Sequence, residues 1–157
     1  MDIILTGRDR KKIGKALRKK YKKVAQNPSG LFKYPTGRAG LEALQYPTEL
    51  INALPETVTD SYCGVGNPFA LGPLNQGEAA LDIGCGSGVD AIFAAMMTGR
   101  SGKVVGIDAT PEMLKRAEQN LARVSYFGLA PLFTTYWTHA SADHDRTPRA
   151  LARGVRS

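Results

Sequence analysis

The spacing of hydrophobic positions changes several times along the chain, and each change marks an element. Ile13, Leu17, Tyr21 and Val24 recur at intervals of 4, 4 and 3, one face of a helix over residues 8–25. The cluster Asn27-Pro28-Ser29-Gly30 is a turn that ends it. The stretch YPTGRAGLEALQYPTELINALPETV then holds two short helical patterns, each opened by a Pro-Thr pair. Thr36 is placed to cap the one containing Leu41 and Leu44. Thr48 is placed to cap the one containing Leu50, Ile51 and Leu54, with Pro55 as its stop. Residues 1–60 thus form a helical lead-in. SYCGVGNPFALG follows, with the glycine, asparagine and proline content of an ordered loop.

After the loop the pattern alternates between strand and helix. Glu78 to Ile83 is short and mostly apolar, as expected of a strand in a sheet covered on both faces. Val89, Ile92, Phe93 and Met96 fall at i, i+3, i+4 and i+7, so a helix packs that face on the sheet, and Gly99 to Gly102 closes it. Lys103 to Asp108 is a second strand. Thr110, followed by Pro111 at the first helical position, opens a helix through Met113, Leu114, Ala117 and Leu121. Past Arg123 the pattern fades. SYFGLAPLFTTYWTHA has room for one more strand, and the segment 124–157, ending in an arginine-rich stretch without core-building periodicity, is expected to be irregular or disordered. Strand, crossover helix and strand in this order predict an α/β fold on a parallel sheet.

Composition narrows the class without naming it. A chain of 157 residues with 43% apolar and 8% aromatic content fits one globular domain with its own core. No apolar run approaches the roughly 18 to 20 residues of a membrane span, and the three apolar residues near the N-terminus are too few for a signal-peptide core, so a cytoplasmic protein is expected. The net charge of +7 is local. Residues 1–23 hold ten of the 21 basic residues against Asp2 and Asp9, a net +8, while the other 11 basic and 12 acidic residues sum to −1. An amphipathic helix with a solvated lysine face accounts for this better than nucleic-acid binding, because no aromatic residues interleave with the lysines to stack on bases. Cys63 and Cys85 form neither a CxxC pair nor a disulfide framework and are expected as independent thiols.

The chemistry centres on LDIGCGSGVD, residues 81–90. A strand breaks into glycines at 84, 86 and 88, a helix follows, and the next strand ends in Asp108, twenty residues beyond Gly88. This is the first βαβ unit of a nucleotide-binding fold. Glycines let a ligand approach the backbone closely, the helix N-terminus behind them offers unpaired N–H groups, and an acid at the end of the second strand can accept two hydrogen bonds from ribose hydroxyls. Dinucleotide enzymes require a small residue where Val89 stands, which disfavours an NAD-type oxidoreductase. Here the pattern is D-x-G-x-G-x-G, with Asp82 two residues before the first glycine.

That pattern resembles motif I of the class I S-adenosylmethionine-dependent methyltransferases. Together with YPTGRAGLEAL, SYCGVGNPFALG and GIDATPEMLKRAEQNL, it is similar to the arsenite methyltransferases over residues 20–123. The resemblance implies a Rossmann-like class I methyltransferase fold, incomplete in this chain, behind the N-terminal helical lead-in. It implies S-adenosyl-L-methionine as cofactor, with Asp82, Gly84, Cys85, Gly86 and Gly88 on the methionine side, Asp108 on the ribose, and Ala109 to Met113 flanking the adenine. Met113 reads equally well as a core residue of its helix. The family's GNP-type loop and the tyrosine near the methyl donor match Tyr62, Gly66, Asn67 and Pro68. Tyr62 and Cys63 are thereby candidate catalytic residues, and a small thiophilic acceptor such as arsenite is the implied substrate. Arsenic(III) is soft and is held by thiolates.

The chain departs from the family at specific places. Val65 stands where the family loop carries cysteine, and the family's remaining arsenic-binding cysteines fall in a half of the domain with no counterpart here. Two cysteines cannot form a three-thiolate site. A class I sheet has seven strands, of which this chain clearly supplies two, and loss of reading frame near residue 124 would explain the change in composition. The alternatives are a truncated, non-catalytic cofactor-binding remnant, or a weak nucleic-acid-binding module acting through the basic helix. Neither a membrane partner nor a resident metal is expected.

Overall fold

A computed structural model describes residues 6–126 with their side chains, apart from that of Tyr126, and the backbone of a strand at 133–137. The expected disorder of the ending lies, beyond residue 137, outside the described residues.

The basic segment folds as α1 (Gly7–Val24). Its start is fixed by a reciprocal capping box, in which the Asp9 N–H donates to Thr6 Oγ1 at 3.3 Å and the Thr6 N–H to Asp9 Oδ2 at 3.1 Å. The lead-in continues as α2 (Gly37–Ala43), α3 (Thr48–Ala53) and α4 (Glu56–Thr59). Neither Thr36 nor Thr48 caps through its side chain. Thr36 is an N-cap without a side-chain hydrogen bond, and Thr48 lies inside a helix whose N-cap is Pro47. A proline N-cap sets the backbone for the turn without supplying an acceptor, and the same device at Pro55 opens α4, one turn that the sequence pattern reads only as a stop. The loop at 61–72 includes one 3-10 turn, Pro68–Leu71, capped by Asn67, whose side chain accepts from the Phe69 N–H.

The α/β unit follows as β1 (Ala79–Ile83), α5 (Val89–Thr98), β2 (Lys103–Asp108), α6 (Pro111–Tyr126) and β3 (Phe133–Trp137). All three strands are parallel in the order β1-β2-β3, with Leu81 opposite Val105 and Val105 opposite Thr134. Regular structure therefore extends past residue 123. Val124 is buried in the main core, which carries the last turn of α6 beyond the point where the apolar pattern fades.

Leu41, Ile51, Val58, Ile92, Phe93 and Val124 share that core, so the lead-in helices pack on the outer side of α5 and α6. Ala91, Ala94, Ala95 and Val104 make a second cluster between α5 and the sheet. Both crossover helices lie on the same face, as right-handed connections between strands added in one direction require. The other face is not covered by any described helix. Leu81 and Ile83 are 60% and 75% exposed, which corrects the expectation of a sheet covered on both sides.

Candidate functional site

The glycine turn is held from below and from the side. The N–H groups of Gly84 and Cys85 both donate to Ile107 O, at 2.7 and 3.0 Å, tying the turn to the end of β2. The Gly86 N–H donates to Asp108 Oδ2 at 3.0 Å, and the Thr110 N–H donates to Asp108 Oδ1 at 2.7 Å. One carboxylate thus joins the turn to the start of α6, and each of its oxygens keeps a second lone pair. Gly86 has φ +53, and a Cβ there would sit 3.1 Å from Met113 Cε, so this position demands glycine for both conformation and space. Gly88, at φ +80, is the N-cap of α5.

Asp82 lies under this turn at the end of β1. Its Oδ2 is buried and has no hydrogen-bond partner. Burial, and then the charge of Asp108, raise its pKa. Asp90, in the first turn of α5, accepts the Tyr46 hydroxyl hydrogen at 2.6 Å. Burial pushes its pKa up to about 6, opposed by that hydrogen bond and assisted by the charge of Asp82. Because Tyr46 spends its proton on Asp90, Tyr62 supplies the hydrogen to Gly66 O at 3.0 Å, with the two hydroxyls 3.0 Å apart. Tyr62 is buried, and desolvation moves its pKa up to about 12.

A cavity of about 1170 Å³ opens over the turn. Tyr62, Cys63, Gly84, Cys85, Gly86, Asp108, Ala109 and Met113, eight of the ten residues singled out from sequence, line it. Gly88 and Asp82 do not line it. Both thiols are free and face the same space. Burial holds Cys63 at about 11 and Cys85 at about 12, with nearby carboxylates adding to both shifts, so both are neutral thiols at neutral pH. Among the described residues, no group of three or more histidine, cysteine or acidic side chains is arranged to hold a metal ion.

Two parts of this arrangement escape the sequence pattern. One is a buried polar knot: Asn120 Nδ2 donates to Ser61 Oγ at 2.8 Å and Ser87 O at 2.9 Å, while Ser87 Oγ donates to Ser61 O at 2.9 Å. It ties the glycine turn to α6 and to the loop that carries Tyr62 and Cys63. The signal for it was an asparagine at i+7 from Met113 on the apolar side of α6, where a purely hydrophobic stripe would place leucine. The other is α1, which supplies the far wall of the cavity through Arg10, Lys11, Lys15, Leu17, Arg18 and Tyr21. Its apolar stripe is not a core face. Ile13 and Leu17 are 44% and 49% exposed, and among its described residues only Val24 is buried.

Residues 74–129 match the family model described as a methyltransferase domain. An arsenite methyltransferase from Halobacterium salinarum is 38% identical over 88 residues, which are 56% of this chain and 22% of that protein. A protein-L-isoaspartate O-methyltransferase from Caenorhabditis elegans is 45% identical over 50 residues, 32% of this chain and 22% of that protein. Among solved structures, an arsenic(III) S-adenosylmethionine methyltransferase from Chlamydomonas reinhardtii aligns with a TM-score of 0.43 and 29% identity, over 68% of this chain and 33% of that one. The chain spans about a fifth of the length of the curated relatives named above, at 22% of each. No described helix is long and apolar enough to cross a membrane. Residues 74–129, which include the strand, glycine turn and acid at 79–108, thus match a methyltransferase domain, and the chain resembles part of an arsenite methyltransferase.

Proposed function

We propose that the cavity binds S-adenosyl-L-methionine and that the chain serves an arsenite-methyltransferase-like methyl transfer to a small thiophilic acceptor. The observation that carries this reading is Asp82 Oδ2, a buried carboxylate oxygen left without a partner directly under a glycine turn. Such an atom is costly unless a donor reaches it. The ammonium and sulfonium of the cofactor would supply positive charge to a wall that holds Asp90 and Asp108, with Asp82 behind it. The left-handed glycines admit the ligand's main chain close to the backbone, and the free lone pairs of Asp108 would accept the ribose hydroxyls. Ala109 and Met113 would flank the adenine, with Gly84, Cys85, Gly86 and Gly88 shaping the methionine side.

When bound, the cofactor supplies an electrophilic methyl carbon on a sulfonium. The protein's part is alignment and exclusion of water. Cys63 and Cys85 would hold arsenic through S–As bonds. Each bond forms as a thiol proton and an arsenic-bound hydroxide leave together as water, so the high pKa values of both thiols do not block the exchange. The arsenic lone pair stays free to attack carbon. Tyr62, pinned by Tyr46 and Gly66, is too firmly protonated to act as a base and would serve as a wall, its hydroxyl hydrogen already given to Gly66 O. Two thiols give two S–As bonds, and the third arsenic ligand would come from a soluble thiol. The test is calorimetric titration of the purified chain with S-adenosylmethionine, followed by a methyl-transfer assay with arsenite and thiol. Binding without turnover would leave the cofactor-binding remnant as the function. Absence of binding would end both.

A further inference from the structure

Resting on that reading, we propose that the thiophilic acceptor enters this cavity on a soluble thiol that bears two or more negative charges as carboxylates or phosphates, gripped by Arg10, Lys11, Lys15 and Arg18 of α1. All four line the cavity, and none of their side chains forms an ion pair or hydrogen bond among the described residues. The opposite wall carries Asp90 and Asp108, with Asp82 behind them. The two walls therefore have opposite charge, yet among the described residues no ion pair joins them across the gap. A cationic cofactor suits the acidic wall. The basic wall needs an anion.

The form of the wall says more. From Arg10 to Arg18 the helix advances about 12 Å, so the four cations are strung along a line rather than gathered on one point. One carboxylate, including the cofactor's own, would engage one end of that line and leave the other end bare. The rest of α1 is anchored elsewhere. Val24 is buried, Lys22 pairs with Glu112 at 3.2 Å, and Lys20 lies over the Phe32 ring at 4.2 Å. Leu17 and Tyr21 offer apolar surface beside the cations for the body of the thiol. A helix kept only for solubility would spread its cations without regard to the cavity. Here Arg8, Lys12, Lys19 and Lys23 do not line it, and they provide the control.

Two variants of the full chain separate the possibilities, each removing four positive charges from the same helix. One replaces the cavity-facing set (R10Q, K11Q, K15Q, R18Q), and the other the outward set (R8Q, K12Q, K19Q, K23Q). Calorimetry with citrate and with tripolyphosphate, without cofactor, reads anion binding. A parallel titration with S-adenosylmethionine reads the cofactor site, and circular dichroism confirms retained helix. The expected result is saturable anion binding to wild type that falls at least about tenfold in the cavity-facing variant and less than about threefold in the outward one. Cofactor affinity should stay within about threefold in both. The tighter of the two anions assigns carboxylate or phosphate as the recognised group. Equal losses in both variants would overturn the proposal in favour of a solvated basic face, and so would absence of anion binding to wild type. A parallel loss of cofactor affinity in the cavity-facing variant would overturn it in favour of a wall serving the cofactor's own carboxylate. Failure of wild type to bind S-adenosylmethionine would instead refute the cofactor reading, while the anion titrations stand apart from it.

Discussion

The two walls of the cavity are built in opposite ways. The glycine-turn wall is over-determined: backbone bonds from Gly84 and Cys85 to Ile107, a carboxylate bridging Gly86 and Thr110, and the knot of Ser61, Ser87 and Asn120 all fix the same few residues. The α1 wall is held at its C-terminal end, while the stretch that overlooks the cavity leaves its charges and half of its apolar stripe unpartnered. A rigid wall suits a cofactor whose shape is fixed. A wall of unpaired cations suits a ligand that brings its own charge. The difference explains why one wall can be read from a short motif and the other cannot.

The largest expected effects fall on the rigid wall. Removing the Asp108 carboxylate orphans two backbone N–H groups and takes away the lone pairs proposed for the ribose, so Asp108→Ala should lower cofactor affinity by about two orders of magnitude and stability by about 2 to 3 kcal/mol, read by calorimetry and thermal melting. Asn120→Leu should cost a similar 2 to 3 kcal/mol, because the hydroxyl of Ser61 and the carbonyl of Ser87 lose a buried donor. A melting point unchanged in this variant would show that the knot is not what holds the turn. Gly86→Ala should cost about 1 to 2 kcal/mol from the left-handed backbone and the contact with Met113, with cofactor affinity falling as well.

A smaller, pH-dependent effect separates the walls by charge. The Asp90 carboxyl is raised to about 6 in the folded chain from an ordinary 3.8. The folded state therefore binds the proton more tightly than the unfolded state, and stability falls as pH rises from about 4 to about 6, by on the order of 2 kcal/mol. Cofactor affinity should move the other way, strengthening as Asp90 ionises toward neutral pH, with protons released on binding. Asp90→Asn should flatten both profiles. The smallest effect belongs to the α1 wall: Lys22→Ala breaks an exposed pair with Glu112 and should change stability by less than about 0.5 kcal/mol.

Much of the fold was legible because its periods are clean. The β1, β2 and α5 bounds follow from apolar runs and glycines, and β2 spans Lys103–Asp108 as the pattern indicates. Three things were not legible, each for a physical reason. The 4-4-3 stripe of α1 predicts a buried face, yet Ile13 and Leu17 stay half-exposed, and Leu17 and Tyr21 border a cavity rather than a core. An apolar strand implies burial on both faces, yet Leu81 and Ile83 are open because both crossovers lie on the opposite side of the sheet. The hydrogen bonds among Tyr46, Tyr62 and Asp90 join residues far apart in sequence through side chains whose types carry no periodic signal. Within the site, the motif and the family resemblance together located eight lining residues, but the local roles of Asp90 and Asn120 depend on what packs against them.

Isothermal titration of S-adenosylmethionine into wild type, Asp82→Asn and Asp108→Ala decides whether the glycine turn and its two acids form the cofactor site. Saturable one-to-one binding to wild type is expected. Affinity should weaken by at least about tenfold in the isosteric Asp82→Asn chain, which keeps the shape and loses the charge, and further in Asp108→Ala. Wild type binding no better than either variant, with all three folded by circular dichroism, would contradict it.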